Sequence, residues 1–215
     1  GLPYDGLLVE YLQQMDGALG DARVQYLPSN HQRALMNMRH GRNLCTGLLR
    51  RSAERDQIGY FVPLLISPPL QVVLRVSDVD RLPLLNGQLW LEQLLSSELL
   101  GGLVAQQIYP AKLQRAREAQ HPQLVEVNLT SSGDRLLLML SRKRFDYVFE
   151  YPTTMIGFAQ ANPQEAALVG VPVVDFTEMP VFGSYCTRNT WGLAMSQRID
   201  TAVRSMLATP QPIEA

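Results

Sequence analysis

Residues 36–61 read MNMRHGRNLCTGLLRRSAERDQIGYF, and this stretch carries most of the information about the fold. Ala34, Leu35 and Met38 share one face of a predicted helix that ends at Gly41. An apolar segment at 43–49 contains Cys45, and a polar segment at 50–57 separates it from a second apolar run at 60–66. The order is therefore helix, glycine turn, apolar segment, polar loop and apolar segment.

The rest of the chain continues this alternation of short apolar segments with helical patterns. Strands are predicted at 22–27, 71–76, 103–108, 124–129, 145–151, 171–176 and 181–186. Helices are predicted at 5–15, 89–100 (ended by Gly101-Gly102), 110–120, 134–143 and 192–207. Such alternation is typical of α/β proteins in which helices cover mostly parallel sheets.

Composition excludes several classes of protein. Of the 215 residues, 46% are hydrophobic, which is too many for a disordered chain. The 19 Lys and Arg residues against 20 Asp and Glu residues leave no basic excess, so nucleic acid is not an expected partner. Two cysteines are too few for a four-cysteine zinc site, and three scattered histidines do not suggest a metal. We expect neither a metal nor another cofactor.

Familiar catalytic patterns are absent from the sequence. It contains no GxxxxGK[ST] loop, GxGxxG turn, GxSxG elbow or HExxH helix. Asp146 and Glu150 lie four residues apart on one predicted strand, so the pattern points both side chains the same way. The simpler interpretation is that these two residues are a surface charge and a strand-end cap. The alternative is a pair of catalytic carboxylates.

Three segments, taken in order, resemble type II periplasmic solute-binding proteins, the extracellular family 3 that includes amino-acid binders. The first is residues 36–61, with its Thr-x-x-Arg-like loop at 52–55. The second is residues 136–157, a helix followed by Arg-x-Asp and a strand. The third is residues 186–207, a returning strand and a closing helix. Glu150-Tyr151-Pro152 and Cys186 resemble a subset that carries Glu-Tyr-Pro in the second lobe.

The resemblance implies two α/β lobes that close on a small ligand. Lobe one would comprise residues 1–67 and 182–215, and lobe two residues 68–181, with the family's first strand missing before Gly1 and a signal peptide already removed. Arg55 would grip a ligand carboxylate through its guanidinium. The other expected ligand-binding residues are Gly47, Arg50, Tyr109, Glu150 and Tyr151.

Departures from the family pattern bear on the ligand. Small hydroxylic residues usually precede the Arg55 loop, but this chain has Gly47, Leu48 and Arg50 there. Tyr151 aligns with the acidic residue that usually holds an amino group, and Glu150 lies one position earlier. These departures disfavour a free α-amino acid. The resemblance as a whole implies a small ligand that is anionic or amino-acid-like.

The resemblance leaves three roles open. The first is a monomeric periplasmic or extracytoplasmic binding protein that delivers a small molecule to an ABC transporter permease. The second is the sensing domain of a signalling protein. The third, which needs a carboxylate with a raised pKa, is a dehydratase or lytic transglycosylase-like enzyme, with Glu150 as the candidate residue.

A disulfide between Cys45 and Cys186 also follows from the resemblance. The fold that it implies places Cys45 on a lobe-one strand and Cys186 on the strand that returns to lobe one. Two cysteines in an exported protein favour a disulfide. The alternative is two buried free thiols.

Overall fold

The computed structural model describes residues 17, 19–20, 24–27, 29, 31–105, 107–129 and 134–208. The chain divides into two compact units: Gly1–Ile66 with Val181–Ala215, and Ser67–Pro180. The helix predicted at 5–15 lies outside the described residues. Residues 24–27, predicted as part of a strand, are not in a strand.

The first unit is built around a strand from the end of the chain. Its described elements are α1 (His31–Arg39), β1 (Leu49–Arg50), α2 (Ala53–Ile58), β2 (Gly59–Ile66), β8 (Val181–Thr187) and α7 (Thr190–Ala208). β8 lies between β1 and β2 and is antiparallel to both. The β2 register pairs Tyr60 with Cys186, and an irregularity interrupts it between Pro63 and Leu65.

The predicted disulfide is present and lies in the core of this unit. Cys45 and Cys186 form an isolated antiparallel bridge, with their Cα atoms 4.0 Å apart. Cys186 is fully buried and packs with Val62 of β2 and Ile199 of α7. The disulfide therefore joins the segment before β1 to the strand that leads into α7.

The second unit has one five-stranded sheet. Its order is β5 (Leu124–Val127), β4 (Gly101–Val104), β6 (Tyr147–Glu150), β3 (Gln71–Arg75) and β7 (Leu168–Pro172). The helices are α3 (Leu91–Leu95), α4 (Ala111–Glu118), α5 (Asp134–Ser141) and α6 (Pro152–Ala161), with a 3-10 helix at Val76–Arg81. Val73 and Val148 pack with Leu136, Leu137, Leu140, Phe145 and Phe158 in one buried cluster.

The α/β class is as predicted, but the strand directions are less parallel than expected. β4 is parallel to β5 and β6, whereas β3 is antiparallel to β6 and β7. The described strands of the first unit pair only antiparallel. Strand direction depends on how distant segments are connected, and β3 enters the sheet directly from the other unit rather than through a helical crossover.

The prediction that Gly101-Gly102 ends a helix is wrong. The helix ends at Leu95, and both glycines belong to β4. A Cβ atom on Gly101 would lie 2.5 Å from the Tyr147 ring, and one on Gly102 would lie 2.8 Å from the Phe145 ring. Glycine is therefore needed here because aromatic rings press against the strand.

We predict opposite effects for two Gly→Ala substitutions. A Cβ on Gly192, in the first turn of α7, would overlap the Thr187 carbonyl, whereas one on Gly157 within α6 meets nothing within 4 Å. Gly192→Ala should destabilise the protein by about 1–3 kcal/mol. Gly157→Ala should stabilise it by roughly 0.5–1 kcal/mol because alanine loses less backbone entropy. Thermal unfolding of both variants checks this, and two shifts of the same sign would contradict it.

We also predict that the disulfide contributes much of the stability. It links two residues that are 141 positions apart. For a loop of this length the chain-entropy model gives a stabilisation of about 4–5 kcal/mol. The double variant Cys45→Ala, Cys186→Ala should melt on the order of 10 °C lower than the wild type in calorimetry. Reductant should lower the wild-type midpoint and leave the double variant unchanged. An unchanged midpoint for fully reduced wild type, verified by mass, would refute the prediction.

Candidate functional site

The first-unit candidates lie on one short segment between β1 and α2. Gly47 is in a bend before β1, Arg50 ends β1, and Arg55 is in the first turn of α2. Ser52 is the N-cap of α2, and its Oγ accepts a hydrogen bond from the Arg55 N–H at 3.3 Å. Serine is favoured at this position because it satisfies a backbone donor at the helix start.

Arg55 is held mainly by its own segment. Its side chain is buried, and Nη1 donates to the Arg50 carbonyl at 2.7 Å. Burial lowers the pKa of the guanidinium, and the nearby Tyr185 and Glu54 oppose this shift. A guanidinium has five N–H donors, so this bond still allows Arg55 to hold a carboxylate.

A residue that the sequence did not single out, Tyr185, fixes the segment. Its hydroxyl accepts from the Ser52 N–H at 3.1 Å and donates to Asp56 Oδ1 at 2.8 Å. Its ring packs against Phe61 with the centroids 4.8 Å apart. No local signal could have revealed this role, because Tyr185 and Ser52 are 133 positions apart.

The second-unit candidates lie at the carboxyl-terminal edge of the five-stranded sheet, where its inner strands β4 and β6 end. The parallel strands β4 and β6 are neighbours, and each is followed by a helix that begins at a Tyr-Pro pair. Tyr109-Pro110 precedes α4, and Tyr151 is the N-cap of α6 with Pro152 at its first position. In open α/β sheets, ligands bind outside the carboxyl ends of such strands.

The hydroxyl of Tyr109 is bonded to its own loop. The residue is 3% exposed, and Oη accepts from the Val104 N–H at 2.7 Å. Arg117 of α4 donates to the carbonyls of Ala105 and Gln107 in the same loop. Burial raises the pKa of Tyr109, the hydrogen bond with Val104 opposes this shift, and the nearby Glu150 adds to it. The Tyr109 hydroxyl therefore holds its own loop and is not available to a ligand, which leaves only the ring for such a contact.

Glu150 is the most perturbed carboxyl group at this edge. It is 3% exposed, and Oε1 accepts from the Tyr151 N–H at 2.8 Å. Burial raises its pKa to about 7, although hydrogen bonds from Tyr151 and Thr154 oppose the shift. The group is therefore partly protonated at neutral pH.

Asp146 does not pair with Glu150 as the predicted strand suggested. β6 begins at Tyr147, so Asp146 lies before the strand. Its carboxylate accepts from the Leu100 N–H at 2.9 Å and from Arg81 at 2.7 Å. Asp146 holds the start of β4 in place, which agrees with the simpler interpretation of this residue.

The predicted site residues thus form two groups. Arg55 bonds to Arg50 in the first unit, with Gly47 on the same segment. Tyr109 lies within electrostatic reach of Glu150 and Tyr151 in the second. Across the described ranges, no three His, Cys, Asp or Glu side chains are placed to hold a metal ion. Among the helices of the described chain, none is both long and apolar enough to cross a membrane.

Solved structures share this fold over most of the chain. A putative L-cystine ABC transporter protein from Listeria monocytogenes superposes with a TM-score of 0.68 at 15% identity, covering 93% of this chain and 79% of the other. An arginine-, lysine-, histidine-binding protein from Geobacillus stearothermophilus gives 0.67 at 13% identity, covering 93% and 78%. The chain has the type II periplasmic binding protein fold.

The same fold occurs in proteins with different roles. A histidine kinase sensor domain similar to periplasmic binding proteins gives a TM-score of 0.68 at 16% identity, covering 93% of this chain and 78% of that one. The neighbours named here are described as transport, binding or sensor proteins, and none as an enzyme. No protein-family model matches the sequence, and no curated protein matches it.

We predict that Glu150 makes stability fall as pH rises. Its pKa is raised from 4.5 to about 7 in the folded state, so the folded protein binds this proton more tightly than the unfolded chain. The advantage is complete below pH 4.5 and is lost as pH rises to about 7, a change of about 3 kcal/mol. Glu150→Gln should remove this loss, raising the melting midpoint at pH 8 relative to wild type on the order of 5–10 °C.

Melting curves by circular dichroism between pH 4.5 and pH 8 provide the measurement. Glu98→Gln is the matched control because Glu98 is exposed in the same unit. Its curves should follow those of the wild type. If the midpoints of Glu150→Gln and wild type stay parallel across this range, Glu150 does not titrate as described.

Proposed function

We propose that this protein is an extracytoplasmic solute-binding protein that captures a small anionic or amino-acid-like ligand for an ABC transporter. The observation that carries the proposal is the likeness of 93% of the chain to binding proteins of amino-acid transporters.

The proposed ligand-binding residues are given for each unit by itself. Arg55 supplies the positive charge for a carboxylate, and Gly47 and Arg50 flank it. Tyr109 and Tyr151, which are 3% and 6% exposed, are proposed to present only the accessible rims of their rings at the ends of β4 and β6. Glu150 is proposed to complete this set as a hydrogen-bonding carboxyl group. The loops that carry these residues are fixed by Tyr185 and by Arg117, which reduces the cost of ordering them on binding.

A second candidate role is sensing. The similarity to a histidine kinase sensor domain equals that to the transporter proteins. In that role the partner is a signalling protein instead of a permease, and the same residues bind the ligand. Identifying the genes fused or adjacent to this one separates the two roles.

Native mass spectrometry of the freshly purified protein tests the binding role. We expect a mass increment from a small molecule that copurifies, which denaturation and small-molecule mass spectrometry then identify. Readdition of that compound should raise the melting midpoint without turnover. If no small molecule copurifies and a panel of amino acids and carboxylates leaves the midpoint unchanged, the proposal fails.

Arg55→Lys should weaken carboxylate binding about tenfold or more, because lysine cannot form the bidentate pair. Arg39→Lys is the matched control. Arg39 is an exposed arginine at the end of α1, and it pairs with Glu54, which precedes Arg55 in α2. Titration calorimetry with the copurified compound should give wild-type affinity for the control. Equal affinities for the two variants would remove Arg55 from the site.

A further inference from the structure

One face of helix α1 packs towards α2. His31, Leu35 and Met38 are four and three positions apart, so they form a single stripe along this face. The last two residues of the stripe belong to a cluster with Tyr185 of β8 and with Ile58, the final residue of α2. His31 continues the stripe by one turn and therefore lies on the side of α1 that faces α2.

The stripe follows α2 from its first turn to its end. A Cβ atom on Gly59, which caps α2, would lie 2.5 Å from Cε of Met38. At the other end of the stripe, His31 lies within electrostatic reach of Arg55 in the first turn of α2. Burial lowers the pKa of the His31 imidazole, and the positive charge of Arg55 lowers it further. Part of the His31 surface remains exposed, so a solute can reach it.

The other charged groups around His31 do not account for the electrostatic effect. In the described part of α1 and of the elements packed against it, β1, α2 and β8, the titratable or charged side chains besides His31 are Arg33, Arg39, Arg50, Glu54, Arg55, Asp56 and Tyr185. The two carboxylates of this set, Glu54 and Asp56, each pair with an arginine other than Arg55. Within this set, Arg55 is the group whose charge acts on the imidazole.

We infer that His31 is a second anion-binding residue of the first unit and that its imidazolium shares the carboxylate of the ligand with Arg55. This inference rests on the proposed function and adds to it a residue that the family resemblance did not supply. Both nitrogens of an imidazolium donate hydrogen bonds, and a carboxylate accepts more bonds than one guanidinium provides. A bound carboxylate also offsets the repulsion between Arg55 and a protonated His31. Protonation and anion binding therefore strengthen each other.

The imidazole signals of the intact wild-type chain provide the first test, with acetate as the probe. A magnetic resonance titration follows the three histidines, at positions 31, 40 and 121, in acetate and in chloride at equal ionic strength. Acetate should move the titration of His31 to higher pH than chloride does, and the two salts should act alike on His40 and His121. If acetate and chloride act alike on His31 as well, the inference is overturned.

Two variants provide the second test. His31→Gln removes the titrating group but keeps a hydrogen-bonding side chain, and His40→Gln is the matched control because His40 is an exposed histidine of the same unit. The ratio of acetate affinities, His40→Gln over His31→Gln, should rise about threefold or more from pH 8 to pH 5.5. The titration of Glu150 is common to both variants and cancels in this ratio.

A ratio that stays constant across this pH range overturns the inference and leaves the solute-binding role intact. Failure of acetate to bind the wild type at either pH also overturns the inference. The native mass spectrum of the purified protein then decides the proposed function separately.

Discussion

The pairing of β8 with β1 and β2 is the constraint on which the first unit depends. A strand from residues 181–187 occupies the centre of a sheet whose other described strands lie at residues 49–66. The Cys45–Cys186 disulfide fixes this pairing covalently, and α7 packs on the same strands through Ile199 and Val203. The segment that carries Arg55 is attached to this sheet, because Arg50 pairs with Phe182 and Tyr185 bonds to Ser52.

Buried tyrosines perform the same task in both units. Tyr185 binds the backbone at the start of α2, and Tyr109 binds the backbone at the end of β4. Each hydroxyl accepts a hydrogen bond from a backbone N–H group, and each ring is buried. Loops that bear candidate binding residues are usually mobile, and these contacts give two of them a defined conformation before a ligand arrives.

Much of the architecture follows from local signals, and the rest depends on contacts between distant residues. The alternation of apolar and helical segments predicted the α/β class and the final helix. It failed at Gly101-Gly102, where a usual helix-stop signal is overridden by the rings of Tyr147 and Phe145. Likewise, the strand predicted from 145 to 151 put the side chains of Asp146 and Glu150 on the same face. In the structure β6 begins at Tyr147, and Asp146 accepts a hydrogen bond from Leu100 before the strand. The candidate binding residues came from the family resemblance and are a proposal, whereas the bonds made by Tyr185 and by the Tyr109 hydroxyl depend on side-chain positions that the sequence pattern does not give.

The central position of β8 has a consequence for the biogenesis of this protein. Ribosomes deliver the chain from its N-terminus, so the residues up to Ile66 emerge well before the strand that completes their sheet. The segment Ser67–Pro180, which contains its own five strands, can fold in the interval. Cys45 stays a thiol until Cys186 has been synthesised. A disulfide that Cys45 formed with another thiol before then would block the native pairing. We expect maturation to be limited by this late, long-range oxidation, and therefore to respond to the supply of thiol oxidant in the compartment where the protein folds.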